Sequence, residues 1–363
     1  MEKMDVGIIG CGNISRTYME NIPKFAGLRL KACADIDLDR AISRAQEFSI
    51  PHAYSVEQLL ADPTIRIVVN LTIPAAHAEV CLQALHAGKH VHVEKPLAVT
   101  REEGRDILEL AKRKGLLVGC APDTFLGGGL QTCRKLLDDG VIGTPVAATA
   151  FMMSGGHESW HPAPEFYYEL GGGPMFDMGP YYLTSLIALL GPIERVTSSA
   201  KISFAERMIT SQPKYGQMIT VKTPTHIAGV IDFKQGAIAT LVTSFDIKAG
   251  THLPNIEIYG TEGTLRVPDP NGFGGKIELL RKGSNEWELI SLTHPFADNS
   301  RGVGVADIAR TLRTGEPQRS SGRLAYHVLE AMHGFHDASL EGKHYHMLST
   351  CDRPDPIDPN EVL

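Results

Sequence analysis

The stretch Val6-Gly7-Ile8-Ile9-Gly10-Cys11-Gly12-Asn13-Ile14-Ser15 decides the fold. Its apolar, β-branched start is the pattern of a buried strand, and two glycines follow before helical periodicity begins at Ile14. Glycine at position 10 permits a tight turn, and glycine at position 12 lets a pyrophosphate approach the backbone at a helix start. Ser15 stands at the third position of G-x-G-x-x-G, where a small side chain is tolerated. Strand, glycine-rich turn and helix in succession form the context that a dinucleotide-binding turn requires.

Outward from that turn, short apolar runs at 6–9, 28–34, 65–71, 90–93 and 116–120 alternate with helical patterns at 14–22, 38–48, 56–60, 76–87 and 102–114. Repeated strand–helix–strand units with apolar strands predict a parallel sheet covered on both faces. Gly88 and Gly115 each follow a helical stretch, where a left-handed cap residue belongs. Asp35 ends the second strand; a carboxylate there can accept both adenosine ribose hydroxyls and repels a 2′-phosphate, which favours NAD over NADP. Arg40 lies close by in sequence.

Beyond residue 122 the rhythm changes. A helix at 130–137 and a strand at 146–153 lead into a Gly/Pro-rich aromatic loop and a long apolar helix ending near Leu190. Strands then dominate, at 227–233, 237–245, 256–259 and 276–280, before helices at 305–314 and 321–340. The expected fold is α/β: an N-terminal Rossmann dinucleotide-binding domain (1–122), then an α+β domain with a large open, mostly antiparallel sheet (123–350), then an extended tail (351–363).

The bulk numbers exclude several classes. A chain of 363 residues exceeds what one core usually organises, and 43% hydrophobic with 21% charged residues is ordinary for a globular protein. A net charge of −7 speaks against nucleic acid and anionic membranes as partners. The most apolar later segment, 181–193, is interrupted by Thr184, Ser185, Gly191 and Pro192, so no membrane span is expected. Six scattered cysteines without a C-x-x-C pair predict neither disulfides nor a zinc cluster, and with no secretion signal in MEKMDVGIIGCG a cytoplasmic location is expected.

His90-Val91-His92-Val93-Glu94-Lys95-Pro96-Leu97 sets a charged pair and a proline directly beyond a buried strand. Ligands of open parallel sheets bind just outside the carboxyl ends of the strands, so Lys95 is placed to meet a substrate. Farther on, Gly171-Gly172-Gly173-Pro174-Met175-Phe176-Asp177-Met178-Gly179-Pro180-Tyr181 carries an Asp and a Tyr four residues apart, expected on one helical face where both can reach one substrate. His157 and His161 share that spacing in a Gly/Pro loop, and no metal site is expected from them.

Taken together, Gly7–Ser15, Asp35, Glu94-Lys95-Pro96, the Gly171–Tyr181 stretch and Tyr259-Gly260-Thr261-Glu262-Gly263-Thr264 resemble the Gfo/Idh/MocA (glucose–fructose oxidoreductase/inositol dehydrogenase) family over essentially the whole chain. The resemblance implies hydride transfer between NAD and a secondary hydroxyl of a sugar or glycoside, with C3 of a glucoside the narrowest expectation. Family members typically carry D-x-G-x-H; here Asp177 is kept and Tyr181 stands at the His position, as in the glucose–fructose oxidoreductase and dihydrodiol dehydrogenase branches.

The implied catalytic set is Lys95, Tyr181 and Asp177. A free tyrosine has a pKa of about 10, so a nearby lysine would favour its phenolate as base. The implied cofactor set is Gly10, Cys11, Gly12, Asn13, Ile14, Asp35, Arg40, Thr72, Pro74, His77, Glu94, Lys95 and Trp160. The substrate set is Lys95, Asp123, His157, Trp160, His161, Asp177 and Tyr181, with Asp123 standing where relatives carry an Arg-containing motif. The expected partner is a small carbohydrate, and self-association as a dimer or tetramer is a family expectation. Two other functions fit the same fold: a non-catalytic NAD-binding sensor, and a glycosidase that oxidises its substrate transiently with tightly held NAD.

Overall fold

A computed structural model describes residues 3–361 and 363. The chain forms two units. The first is built on strands β1 (Met4–Ile9), β2 (Leu28–Ala34), β3 (His52–Tyr54), β4 (Ile65–Asn70), β5 (His90–Val93) and β6 (Val118–Cys120). They pair in parallel in the order β3-β2-β1-β4-β5-β6. Between them run helices α1 (Ser15–Asn21), α2 (Leu38–Glu47), α3 (Val56–Ala61), α4 (Pro74–His86) and α5 (Arg101–Lys114). The strand order reverses between β2-β1 and β4, the switch point where such sheets bind ligands.

All four residues of β5 and the last five of β1 are buried, as strands covered on both faces must be. Local chemistry sets the helix ends. Thr100 and Glu103 form a reciprocal capping box at the start of α5, and Gly115 closes it in the left-handed conformation (φ 64°). The sequence pattern missed β3, whose three half-exposed residues are too few to show a period.

The second unit takes Gly129–Thr293 and Glu330–Arg353. After α6 (Gly128–Asp138) come β7 (Pro145–Met153), α7 (Gly173–Asp177), α8 (Gly179–Leu190), β8 (Ile193–Lys201), and a hairpin of β9 (Glu206–Met208) and β10 (Met218–Thr220). Then follow β11 (His226–Phe233), β12 (Ile238–Ser244), β13 (Ile256–Gly260), β14 (Gly263–Val267), β15 (Ile277–Arg281), β16 (Glu288–Ile290) and, much later, β17 (Tyr345–His346). A nine-stranded sheet has the order β16-β15-β14-β13-β7-β12-β11-β8-β17, in which β7 and β12 pair in parallel and the other pairs are antiparallel. Every residue of α8 is buried; each fully buried Leu or Ile contributes about 1.5–3 kcal/mol.

The single helix expected to end near Leu190 is two. Met178 separates α7 from α8, and Pro180 has no N–H to donate back to Phe176.

The domain boundaries also differ from those read in the sequence. His294–Leu329 and Pro354–Leu363 belong to the first unit, not to a second domain or a loose tail. They contain α9 (Val303–Thr314) and the start of α10 (Gly322–Glu341). Three interactions bind this return to the first unit. Ser321 bridges Gly119 beside β6. The Asp123 carboxylate accepts the N–H groups of Gly302 (2.9 Å) and Gly304 (3.0 Å) at the start of α9. Arg319 pairs with Glu361 at 2.7 Å, and Ile357 and Leu363 are buried. The remainder of α10 packs in the second unit, where Phe335 lies so close to β11 that a Cβ on Gly229 would come within 2.6 Å of its ring. Among the described residues, no helix is long and apolar enough to cross a membrane.

Candidate active site

In the first unit, the turn after β1 has φ 101° at Gly10, and a Cβ there would stand 2.6 Å from the Leu71 carbonyl. That conformation and that closeness require glycine. A Cβ on Gly12 would meet nothing within 4 Å, so open space lies over the turn at the place where a pyrophosphate would lie. Asp35, beyond β2, accepts the Cys11 N–H at 2.7 Å through one carboxylate oxygen and the Asp37 N–H at 3.0 Å through the other. It therefore braces the turn itself. Arg40 reaches Asp35 at 3.5 Å and Asp37 at 3.3 Å.

Sequence reasoning missed two neighbours. Ile36 (99% exposed) follows Asp35, and Ile73 (69% exposed) follows Thr72. Isoleucines left in water beside the polar ends of β2 and β4 are the signal, and they present apolar faces suited to a base. Asn13 and Ile14 lie at the turn before α1, and Pro74 lies in the first turn of α4, which begins two residues earlier than the sequence pattern placed it.

At the carboxyl end of β5, Glu94 accepts the Tyr18 hydroxyl at 2.9 Å and the Lys95 N–H at 3.0 Å. The Lys95–Pro96 peptide bond is cis. His77 is buried, with one ring nitrogen 2.7 Å from the Pro96 carbonyl and the other 3.1 Å from the Thr72 carbonyl. Burial lowers its pKa and holds it neutral. A neutral imidazole has one N–H, so His77 donates to one of these carbonyls and lies against the other, a strut between the β4 and β5 loops. Thr72 is in turn held by Asn70, at 2.7 Å through its hydroxyl. Asp123, expected to meet substrate, is instead 1% exposed, and its Oδ2 takes both amides at the start of α9, so it is turned into the first unit; burial raises its pKa against the pull of the two amides.

In the second unit, Asp177 ends α7 and Tyr181 opens α8. His157 approaches Asp177 from the loop after β7, Nε2 to Oδ2 at 3.4 Å. Its ring is stacked on Tyr167 (3.7 Å, 11°) and set edge-on to Phe245 (4.6 Å). His161 accepts the Ala163 N–H at 3.1 Å and touches the rings of Trp160, Phe166 and Tyr167. Burial lowers its pKa, holding it neutral. Trp160 is 62% exposed and Phe166 is 52% exposed, so this loop offers open aromatic surface beside its histidines. Among the described residues, no group of three or more His, Cys, Asp or Glu is placed to hold a metal ion.

Comparison with known proteins adds a family. The model of the Gfo/Idh/MocA oxidoreductase family, NAD-binding Rossmann fold, matches residues 4–121, and that of the family's C-terminal domain matches residues 130–266. The chain belongs to the Gfo/Idh/MocA family. As in that family, its first unit is an NAD-binding Rossmann fold and its cofactor is NAD. Among Gfo/Idh/MocA relatives, 1,5-anhydro-D-fructose reductase of Ensifer adhaerens is 27% identical over 267 residues, 71% of this chain and 74% of that protein. Myo-inositol 2-dehydrogenase of Thermotoga maritima is 23% identical over 264 residues, 72% and 74% of the two chains. The fold matches levoglucosan dehydrogenase, solved in complex with NADH and levoglucosan, with a TM-score of 0.80 at 19% identity over 96% of this chain and 100% of that one. Open space over Gly12, the braced Asp35 and the exposed Ile36 and Ile73 fit a dinucleotide at the first unit's switch point.

Proposed function

We propose that this oxidoreductase transfers hydride between NAD and a secondary ring hydroxyl of a sugar or glycoside, with C3 of a glucoside as the favoured position. The observation that carries the reading is the Glu94-Lys95-Pro96 element, braced from α1 by Tyr18 and from α4 by His77 at the carboxyl end of β5. A non-catalytic sensor has no need of a Glu-Lys-Pro element whose flanking residues are braced so firmly. Named relatives acting on anhydrofructose and inositol support a polyol-like substrate.

Gly10, Cys11 and Gly12 would hold the pyrophosphate, Asp35 the adenosine ribose, and Ile36 with Ile73 the adenine faces. NAD bound there supplies the hydride acceptor. Lys95 hydrogen-bonds the reacting oxygen, and its charge stabilises the alkoxide that forms as the proton leaves. Tyr181 takes that proton, which the lysine's charge makes easier to remove than in water. Asp177 holds a neighbouring hydroxyl, and Trp160 offers an apolar wall to a sugar face. A ring hydroxyl flanked by two others matches the several donors and acceptors in the substrate loop. Leaving them unpaired against a simple alcohol would cost about 1–3 kcal/mol each.

The His157–Asp177 approach at 3.4 Å favours one second reading, in which His157 is the base and Asp177 orients it. The deciding experiment incubates the purified protein with NAD and a glucoside, a free sugar or inositol, followed by reduced-cofactor absorbance and product mass. Loss of two hydrogens from the glucoside supports the proposal. Turnover of inositol alone refutes the glycoside assignment, and glycoside cleavage without added NAD points to the redox glycosidase.

A further inference from the structure

The hairpin β9–β10 turns Arg207 inward beside the buried Ile219 that faces it across the strands. Met208 and Met218, paired across it, are 46% and 56% exposed and Tyr215 is 63% exposed, while the Arg207 side chain between them is only 3% exposed. Burying a guanidinium is costly unless its partners are close and well aimed, so an arginine turned inward where methionines are turned outward marks a specific connection. That connection is the substrate loop. One terminal nitrogen of Arg207 donates to Glu158 at 2.7 Å, to the Gly155 carbonyl at 3.3 Å and to the Tyr168 hydroxyl oxygen at 3.4 Å. The other donates to the Phe245 carbonyl at 3.0 Å and to Asp246. The guanidinium also lies 5.0 Å from the Tyr168 ring centre.

Glu158 is the hub of this contact. It accepts from Arg207, from Lys248 at 2.8 Å and from the Tyr168 hydroxyl, and its carbonyl accepts the N–H groups of Thr210 (2.8 Å) and Ser211 (3.0 Å). Ser211 donates to the His161 carbonyl at 2.5 Å, and Lys214 pairs with Glu165. Tyr168 in turn accepts the His157 N–H at 3.1 Å. Residues 207–214 thus grip residues 157–165 at four places, and Tyr168, itself held by Arg207, fixes the backbone of the histidine that faces Asp177. Burial alone would raise the Glu158 pKa, but the bonds from Lys248 and Tyr168 and the charge of Arg207 outweigh it and hold the group at about 2, ionised throughout the working range.

We propose that Arg207 is a positioning residue: it clamps the loop through Glu158 and Tyr168, and so sets His157 against Asp177 and Trp160 against the substrate. This rests on the functional reading above. A Gly/Pro-rich loop without such a clamp would sample many conformations, few of them aligned with a sugar's hydroxyls.

The test uses the full chain with NAD bound, comparing Arg207→Lys, Arg207→Met and Ser211→Ala. Hydrogen exchange of the 157–161 amides is measured alongside kcat and KM for the carbohydrate that the unmutated protein turns over. Arg207→Met should exchange these amides at least tenfold faster and lose at least tenfold in kcat/KM. Arg207→Lys should restore part of both, and NAD affinity should not change. Should Arg207→Met not fold, Ser211→Ala, which removes the single bond to the His161 carbonyl, should still loosen the loop and raise KM severalfold. Loosening without loss of kcat/KM, loss without loosening, or a parallel fall in NAD affinity overturns the proposal. An unmutated protein inactive on every carbohydrate overturns the functional reading instead, while the exchange rates still decide whether the clamp exists.

Discussion

Substituting the two glycines of the first turn by alanine should separate folding from cofactor binding. Gly10→Ala places a methyl 2.6 Å from backbone atoms of Leu71 and 2.8 Å from the Thr72 nitrogen, at φ 101°. The conformation costs an alanine roughly 1–2 kcal/mol, and moving a strand end out of contact adds about 1–3 kcal/mol. At roughly 2–4 °C per kcal/mol for a unit of this size, the melting temperature should fall by about 4–20 °C. Gly12→Ala has open space around its methyl, so without NAD it should melt within about 2 °C of the parent. NAD at a hundred times its dissociation constant stabilises the parent by about 2.7 kcal/mol, roughly 5–10 °C. Gly12→Ala should lose nearly all of that gain, because its methyl occupies the space over the turn. Scanning calorimetry with and without NAD, supported by titration calorimetry, reads both quantities. A Gly12→Ala protein that binds NAD like its parent refutes the placement of the pyrophosphate over this turn.

Further outcomes follow from the same geometry. Lys95→Ala should abolish turnover while leaving NAD affinity, measured by fluorescence quenching, within about twofold, since that affinity comes mainly from the glycine-rich turn and Asp35. Tyr181→Phe should lower kcat by about a hundredfold or more; an unchanged rate and pH profile would transfer the base to His157. Asp123→Ala should destabilise the fold by about 1–3 kcal/mol in urea titrations, by uncapping α9, with KM unaffected. His92 is fully buried, and among the described residues neither ring nitrogen has a hydrogen-bond partner; burial lowers its pKa to about 4. The unfolded chain binds that proton first, so stability should fall as the pH drops from about 6.5 to 4, by up to roughly 3 kcal/mol, and His92→Leu should flatten this slope.

The sequence was most legible where chemistry is local. The strand at 28–34 and the capping glycines Gly88 and Gly115 stand where the pattern put them, because short-range backbone rules decide such features. Lys95 and Asp35 were visible for the same reason, each lying just beyond a short strand. Illegible were features made by distant segments. Asp123 acts on amides at 302 and 304, and His77 on carbonyls at 72 and 96, and no periodicity records which remote group a side chain meets. The break at Met178 was foreshadowed by Pro180, and the i, i+4 reading of Asp177 and Tyr181 passed over it. Nothing in the sequence singles out Arg207, and only burial gives it meaning.

The chain leaves its first unit after Gly128, returns at His294, leaves again within α10 after Leu329 and comes back at Pro354. A cofactor module threaded through its host in this way cannot be cut out at one point. Expressing residues 1–122 alone would strip away α9 and the Arg319–Glu361 pair, and would leave β6 as a bare edge inviting aggregation. Engineers who wish to graft this dinucleotide-binding half onto another substrate half must therefore splice at four seams together. Natural recombination faces the same obstacle, so the two halves are expected to have descended together, diversifying by point changes in loops rather than by shuffling.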